Sequence, residues 1–123
     1  MIIGHGVDFI EIDRIKKIFQ STMRDKFIEK YFKFDHLNKV NSNQLSNNFA
    51  IKEAFSKALG LGFRRPCYPS EIAVSRNLLG RPIITPQKKL NQYLVENYEN
   101  FVIHVSVTDN IKYSLASVIL EKI

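Results

Sequence analysis

The chain has 123 residues, of which 45% are hydrophobic and 24% charged, and a net charge of +6 at pH 7. This length predicts one domain spanning residues 1–123, and the composition excludes a disordered or fibrous protein. The single cysteine, Cys67, excludes an internal disulfide and a cysteine-rich zinc site. The basic excess predicts an anionic partner: a nucleic acid, a membrane surface, a phosphorylated ligand or an acidic protein. Because there is neither a basic leader nor an apolar run of about 20 residues, we expect a cytoplasmic protein without a membrane anchor.

The first half of the chain is predicted to form one strand and three helical stretches. In order, they are a strand over residues 2–10 and amphipathic stretches around residues 12–19 and 27–33. Segment 38–48 is rich in asparagine and serine, which favours a mobile loop. A helix is then predicted from about Gln44 to Leu59, where Gly60 caps it.

The second half is predicted to contain a basic loop, short strands and one helix. In order, they are a loop over 61–70, a strand over 71–75, a turn at Gly80-Arg81-Pro82 into a strand at 83–84, and a helix starting at Pro86. The chain ends in a hairpin of strands 101–107 and 113–120, joined by Thr108-Asp109-Asn110. Strands at both ends around central helices predict an α+β fold, an antiparallel sheet with helices packed on it.

Asp8 lies near the end of the first predicted strand, which Gly4 and Gly6 open to close backbone approach. An acid flanked by Val7 and Phe9 is expected near the core, where an unpaired charge is costly. A metal ion or a cationic partner would compensate it. The alternative is a solvated acid that caps the following turn.

The central helix carries an acid and an amine one turn apart. Glu53 and Lys57 lie together, on the side away from the apolar stripe that contains Ile51 and Phe55. They form either an exposed ion pair worth ~0.2–0.5 kcal/mol or a metal-ligating carboxylate beside a phosphate-binding ammonium. Spacing alone leaves both interpretations open.

Basic residues are concentrated near the N-terminus and in two loops, which favours a docking surface over a merely solvated face. They are Arg14, Arg24, Lys26, Lys30, Lys33, Arg64, Arg65 and Arg81. No zinc-finger spacing, RNP-like aromatic pattern, Walker loop or GxGxxG motif accompanies them, so no nucleic-acid partner is predicted. Three scattered histidines, His5, His36 and His104, are expected to be structural.

Four motifs occur in order along the chain and together resemble one family. They are Gly4-x-Gly6-x-Asp8-x-x-Glu11-Ile12-x-Arg14-Ile15, Phe49-Ala50-x-Lys52-Glu53-Ala54-x-x-Lys57-Ala58-x-Gly60-x-Gly62, Gly80-Arg81-Pro82, and His104-Val105-Ser106. Over essentially the whole chain they resemble the holo-[acyl-carrier-protein] synthases, the short bacterial class of 4′-phosphopantetheinyl transferases. The resemblance implies transfer of 4′-phosphopantetheine from coenzyme A to a serine of apo-acyl carrier protein, releasing adenosine 3′,5′-bisphosphate, in fatty acid biosynthesis.

The resemblance also implies which residues act. It assigns Mg²⁺ to Asp8 and Glu53, a chemistry that suits hard carboxylate oxygens and a pyrophosphate. Lys57 would touch the same phosphates, and Arg14 matches the family residue that contacts the acidic carrier protein. Members of the family are homotrimers with the site shared between subunits. The remaining assignments are Gly80, Arg81 and Pro82 for coenzyme A, and, on charge alone, Arg24, Lys26 and Lys30 for docking.

The chain departs from the family pattern at five positions. Asn48 replaces an arginine, so coenzyme binding is either weakened or restored by Arg64 and Arg65. Asp109 replaces a histidine near the coenzyme phosphates, and no phosphate role transfers to it. The other departures are Leu61 for threonine, Arg81 for lysine and His36 for glutamate. The general base is unassigned, and the competing interpretations are a non-enzymatic basic module that binds RNA or an acidic protein and an inactive homologue kept as a scaffold.

Overall fold

The computed structural model describes all 123 residues. The elements are β1 (Ile2–Glu11), α1 (Ile12–Phe19), α2 (Arg24–Phe32), α3 (Ser42–Ala58), β2 (Ile72–Arg76), β3 (Pro82–Pro86), α4 (Lys88–Tyr98), β4 (Phe101–Asp109) and β5 (Tyr113–Lys122). A 3₁₀ turn over Pro69–Glu71 precedes β2. The predicted α+β fold with antiparallel strands at both ends is confirmed. None of the helices has the length and apolar content needed to cross a bilayer.

Two antiparallel sheets carry the fold, one with the strand order β1-β5-β4 and one formed by β2 and β3. The predicted C-terminal hairpin is confirmed, but β4 continues through Thr108 and Asp109, which were expected in the turn. The turn begins later because the side chain of Asn110 accepts hydrogen bonds from the backbone N–H groups of Lys112 and Tyr113. Asp109 is therefore held at the end of a strand.

Helix α3 begins at Ser42, so the prediction of a mobile loop is wrong for residues 42–48. The side chain of Asn41 accepts a hydrogen bond from the Gln44 backbone N–H at 2.8 Å and caps the helix. Further along, Ser46 is buried and its hydroxyl lies 2.9 Å from that of Ser114. The predicted C-terminal stop is confirmed, since Gly60 follows the helix with φ +75°.

Helix α4 begins at Lys88, two residues after the predicted start at Pro86. Pro86 is the last residue of β3 and is paired with Ile72 in the two-stranded sheet. The first turn of α4 is capped from outside the helix, because Glu71 Oε1 accepts a hydrogen bond from the Leu90 N–H at 3.0 Å. Leu90 itself is fully buried.

Close contact between β1 and α3 explains the two early glycines. A Cβ atom built on Gly6 would lie 1.8 Å from the carbonyl oxygen of Ala54, and one on Gly4 would lie 1.8 Å from that of Ala58. No side chain fits there, so the strand backbone packs directly on the helix. This approach places Asp8, two residues after Gly6, beside α3.

We expect Gly6→Ala to lower the free energy of unfolding by about 1–3 kcal/mol or more, because the added methyl group meets a backbone carbonyl that must move. The measurement is the urea midpoint at constant m-value. The matched control is His5→Ala, which changes an exposed residue of the same strand. Equal, small shifts in both variants would contradict the close-packing argument.

Candidate active site

Asp8 is buried and paired. Its register partner is Ala116 of β5, so it lies on the sheet face that packs against α3. Its side chain is 8% exposed, and its Oδ1 atom accepts a hydrogen bond from Lys57 Nζ at 3.0 Å. Lys57 Nζ also donates to the carbonyl oxygen of Val7 at 3.2 Å. The alternative of a solvated turn-capping acid is therefore wrong.

Glu53 lies close enough to Asp8 for the two carboxyl groups to interact. Burial and the neighbouring negative charge of Asp8 raise the pKa of Glu53, while the charges of Lys57 and Arg14 act in the opposite direction. Lys57 pairs with Asp8, not with Glu53, so the exposed Glu53–Lys57 ion pair is not formed. We call the group formed by Asp8, Glu53, Lys57 and Arg14 the carboxylate cluster; β1, α3 and α1 supply it.

The carboxylate cluster fits a Mg²⁺ ion. Two carboxylates brought together at a half-buried position repel each other, and this repulsion adds to burial in raising the pKa of Glu53; a divalent cation would relieve it. No third acid, histidine or cysteine joins them in a metal-binding group. Mg²⁺ is usually bound by one or two protein carboxylates together with water and substrate phosphate oxygens. The two carboxylates therefore match a Mg²⁺ ion whose remaining oxygen ligands come from water and a substrate.

The residues predicted for docking lie on α1 and α2, and Arg14 differs from the others. Arg14 is exposed, yet its charge opposes the rise in the pKa of Glu53, so it alone of the docking residues belongs to the carboxylate cluster. Arg24 lies over the ring of Phe19, 5.3 Å from its centroid. Lys26 and Lys30 border a groove of about 280 Å³ whose other lining residues are Ile18, Met23, Phe27 and Tyr31.

The turn Gly80-Arg81-Pro82 lies between β2 and β3 and faces two neighbouring clefts. Arg81 and Pro82 line a cleft of about 490 Å³ between β3 and β4. Gly80, which has φ +87°, lines a second cleft of about 480 Å³ beside the start of α3. No residue of the carboxylate cluster lines either cleft. Within one chain, the structure thus brings Asp8, Glu53 and Lys57 together but leaves the turn apart from them.

Arg64 and Arg65, one of the two alternatives for Asn48, are both hydrogen-bonded within their own loop. Arg64 donates to the carbonyl oxygen of Leu61 in its own loop, and Arg65 donates to the Tyr68 hydroxyl. The arginine that lies beside Asn48 is Arg76, whose Nη2 atom donates a hydrogen bond to Asn48 Oδ1 at 3.3 Å.

Asp109, the other notable departure, is hydrogen-bonded to a neutral amide. Its Oδ2 atom accepts a hydrogen bond from Asn47 Nδ2 at 2.8 Å. The oxygen of the same amide accepts one from the Ser114 hydroxyl at 2.6 Å, which fixes the orientation of Asn47. The carboxylate is thereby tied to α3.

A buried ion pair one residue from Glu53 was missed by the sequence reasoning. Lys52 and Asp35 have fully buried side chains, and Lys52 Nζ lies 2.7 Å from Asp35 Oδ1. Lys52 also donates to the carbonyl oxygens of Pro69 and Ile72. Burial raises the pKa of Asp35 and lowers the pKa of Lys52, and the attraction between them opposes both shifts. The pair fixes α3 to the segment that leads into β2.

Comparison with known proteins gives one consistent family. A model of the 4′-phosphopantetheinyl transferase superfamily matches residues 4–109. The holo-[acyl-carrier-protein] synthase of Clostridium botulinum (strain Alaska E43 / Type E3) is 43% identical, over 97% of this chain and 100% of its own length. The crystal structure of the holo-[acyl-carrier-protein] synthase from Neisseria meningitidis matches with a TM-score of 0.85 and 29% identity, covering 99% of this chain and 100% of that one. The crystal structure of the Bacillus anthracis synthase in complex with CoA (3′,5′-ADP) matches with a TM-score of 0.77 and 28% identity. It covers 100% of this chain and 99% of that one.

The family match extends over most of the chain, and the curated relative is similar from end to end. The chain therefore belongs to the 4′-phosphopantetheinyl transferase superfamily and, within it, to the holo-[acyl-carrier-protein] synthases. The expectation drawn from the four motifs is confirmed at the level of the family and the fold. The roles of individual residues remain predictions.

Proposed function

We propose that the chain transfers 4′-phosphopantetheine from coenzyme A to a serine hydroxyl of an apo-acyl carrier protein, with Mg²⁺ bound by Asp8 and Glu53. The observation that carries this proposal is the carboxylate cluster itself. A half-buried pair of acids lies beside Lys57, with Arg14 also close to Glu53. The Bacillus anthracis relative was solved in complex with CoA (3′,5′-ADP), which supports a coenzyme A substrate for this chain.

The serine oxygen forms a bond to the β-phosphorus of coenzyme A as the P–O bond of the pyrophosphate to the adenosine half breaks. Adenosine 3′,5′-bisphosphate leaves with the electron pair of that bond, and the serine O–H bond breaks as its proton passes to water. Asp8 and Glu53 would hold Mg²⁺, which would supply positive charge to the pyrophosphate. Lys57 donates to Asp8 and Val7, and its third N–H, on a side chain that is 53% exposed, would bind phosphate oxygens as a point charge.

The basic residues of α1 and α2 are proposed to bind the carrier protein. Arg14 contributes a guanidinium to the carboxylate cluster, and Arg24, Lys26 and Lys30 extend the positive surface along α2. A small acidic partner would be steered to this surface by charge and oriented by it. Lys26 and Lys30 also border the apolar groove, so the same face offers both charge and hydrophobic contact.

We also propose that the active form is a homotrimer in which neighbouring subunits complete each site. The outer face of the three-stranded sheet exposes apolar side chains: Val7 is 46%, Phe9 58% and Leu115 40% exposed. Phe9 and Leu115 are register partners, so they form one patch. A second copy seated on this face would cover the patch. In the proposed trimer the turn Gly80-Arg81-Pro82 of one subunit meets the carboxylate cluster of another, because a single chain keeps them apart.

The proposed activity is tested by the mass of the carrier protein. Apo-acyl carrier protein is incubated with the chain, coenzyme A and Mg²⁺, and we expect it to gain one phosphopantetheine arm. A parallel binding assay measures affinity for RNA against salt concentration, since nucleic-acid binding weakens steeply with log salt and needs no Mg²⁺. An unchanged carrier mass together with salt-sensitive RNA binding would favour the non-enzymatic basic module. An unchanged mass with carrier binding alone would favour the inactive scaffold.

The shared site is tested by combining subunits that carry two different inactivating substitutions. Chains with Asp8→Asn and chains with Arg81→Ala are co-expressed with different tags, and the mixed oligomer is purified. If each site takes Asp8 from one subunit and Arg81 from another, a mixed trimer keeps one of its sites intact, so about a third of the sites in the purified mixture are functional. We therefore expect activity well above that of either pure variant, and a trimer on sedimentation. A mixture no more active than its parts, or a fully active monomer, would refute the shared site.

A further inference from the structure

The cleft beside the start of α3 is polar and carries positive charge. Nine residues line it, of which only Leu78 is hydrophobic. The charged members are Lys39 and Arg76, and no acid is among them. The cleft also includes Gly80, so it adjoins the turn proposed to bind coenzyme A. A polar cleft with two cations and no acid is suited to an anion.

Arg76 is incompletely paired. Its Nη2 atom donates to Asn48, whereas its Nη1 atom is buried and has no hydrogen-bond partner. It is the only buried side-chain nitrogen or oxygen of the chain that has none. No carboxylate lies within ion-pair distance of Arg76. Because an unsatisfied buried donor costs free energy, an acceptor from outside the chain would stabilise this arginine.

Asn48 holds Arg76 in a defined place. The Nδ2 atom of Asn48 donates to Asp35 Oδ2 at 3.0 Å, which leaves Oδ1 of the same amide to accept from Arg76. Asp35 is in turn fixed by Lys52. The family pattern has an arginine at the position of Asn48. In this chain Arg76 of β2 places its guanidinium beside Asn48.

Coenzyme A carries phosphate at two separate points, the pyrophosphate and the 3′-phosphate of the ribose. The carboxylate cluster is the proposed site of the pyrophosphate, and none of its residues lines the cleft. On the basis of the proposed function, we propose that Arg76, together with Lys39, binds the 3′-phosphate of coenzyme A and replaces the missing arginine of position 48. A phosphate monoester carries about −1.5 to −2 charge and matches the planar fork of a guanidinium.

The first test compares two substrates in one variant. Arg76→Gln is expected to raise the KM for coenzyme A by about tenfold or more, the loss typical of one hydrogen bond between charged groups. The KM for dephospho-coenzyme A, which lacks the 3′-phosphate, should not change, and kcat should stay within about twofold of the parent. The matched control is Arg65→Gln, which removes an exposed arginine of the 61–70 loop and should change neither KM.

Because dephospho-coenzyme A uses the same carboxylate cluster, it reports whether the variant is folded. An equal rise in KM for both substrates would assign Arg76 a structural role only and overturn the proposal. An unchanged KM for both substrates would overturn it as well. The double variant Arg76→Asn, Asn48→Arg returns the guanidinium to α3, and we expect it to recover most of the affinity for coenzyme A.

A second measurement needs neither a variant nor turnover. The parent protein should bind adenosine 3′,5′-bisphosphate at least about tenfold more tightly than adenosine 5′-monophosphate in calorimetry. Equal affinities would overturn the phosphate site. If the carrier mass does not change but this preference is present, the proposed transfer fails while the phosphate site stands.

Discussion

Asp8→Asn and Glu53→Gln are each expected to lower the rate of phosphopantetheine transfer by at least about a hundredfold at limiting Mg²⁺. Each substitution keeps the shape of the side chain but replaces a charged oxygen ligand with an amide, which binds Mg²⁺ poorly. Glu53→Gln is also expected to keep its thermal stability. Because burial and the charge of Asp8 raise the pKa of Glu53, removing the Glu53 charge removes both a desolvation cost and a repulsion, so the melting temperature of Glu53→Gln should not fall.

The measurements are the initial rate of carrier-protein conversion across a Mg²⁺ titration and the melting temperature of each variant. The matched control is Glu96→Gln, which changes an exposed glutamate of α4 whose carboxylate accepts only from Gln92. This control should keep the parent rate. Activity near the parent level in either carboxylate variant, or a rate loss explained by unfolding, would remove Asp8 and Glu53 from the proposed metal site.

Lys52→Met is expected to lower the free energy of unfolding by about 3–5 kcal/mol, because it leaves the Asp35 carboxylate buried without its cation. Asp35 is also bonded to Asn48 and Val74, so its displacement disturbs α3 and β2 together. Adding Asp35→Asn to Lys52→Met removes the uncompensated charge and should recover part of the loss. The urea midpoints of both single variants and the double variant give the coupling energy of the pair.

An exposed ion pair provides the comparison for Lys52. Lys33 lies 3.8 Å from Glu29 on the surface of α2, and Lys33→Met should cost less than about 1 kcal/mol. Two results would show that the buried pair does not hold α3 to β2. One is a loss of unfolding free energy in Lys52→Met no larger than that in Lys33→Met. The other is a loss in the double variant equal to the sum of the losses in Lys52→Met and Asp35→Asn. The position of Glu53 would then need another explanation.

Local patterns in the sequence predicted much of the fold because the contacts they reflect are short in range or strict in shape. Gly4 and Gly6 indicated close backbone approach, and the structure places them against the backbone of α3. Two predicted strands around the turn residues 108–110 gave the hairpin, and Gly60 predicted the end of α3. Composition was misleading for residues 42–48, since Asn41 caps the helix and Ser46 bonds to Ser114.

The contacts that sequence reasoning missed join residues far apart in the chain. Lys52 looks like a surface residue of an amphipathic helix, and nothing in its neighbourhood indicates Asp35, 17 residues earlier. Similarly, Arg76 comes 28 residues after Asn48, so the missing arginine was sought in the nearest basic loop. Asp8 and Glu53 were predicted to act together only through the family resemblance, because their meeting depends on how β1 packs on α3.

The central claim is that Asp8 and Glu53 form a divalent-cation site, and binding of Mn²⁺ in the presence of coenzyme A tests it most directly. Mn²⁺ substitutes for Mg²⁺ at oxygen sites and its free concentration is read from its electron paramagnetic resonance signal. We expect about one Mn²⁺ per chain for the parent protein and for Glu96→Gln, and strongly reduced binding for Asp8→Asn and Glu53→Gln. Equal Mn²⁺ binding by the parent and both carboxylate variants would contradict the account.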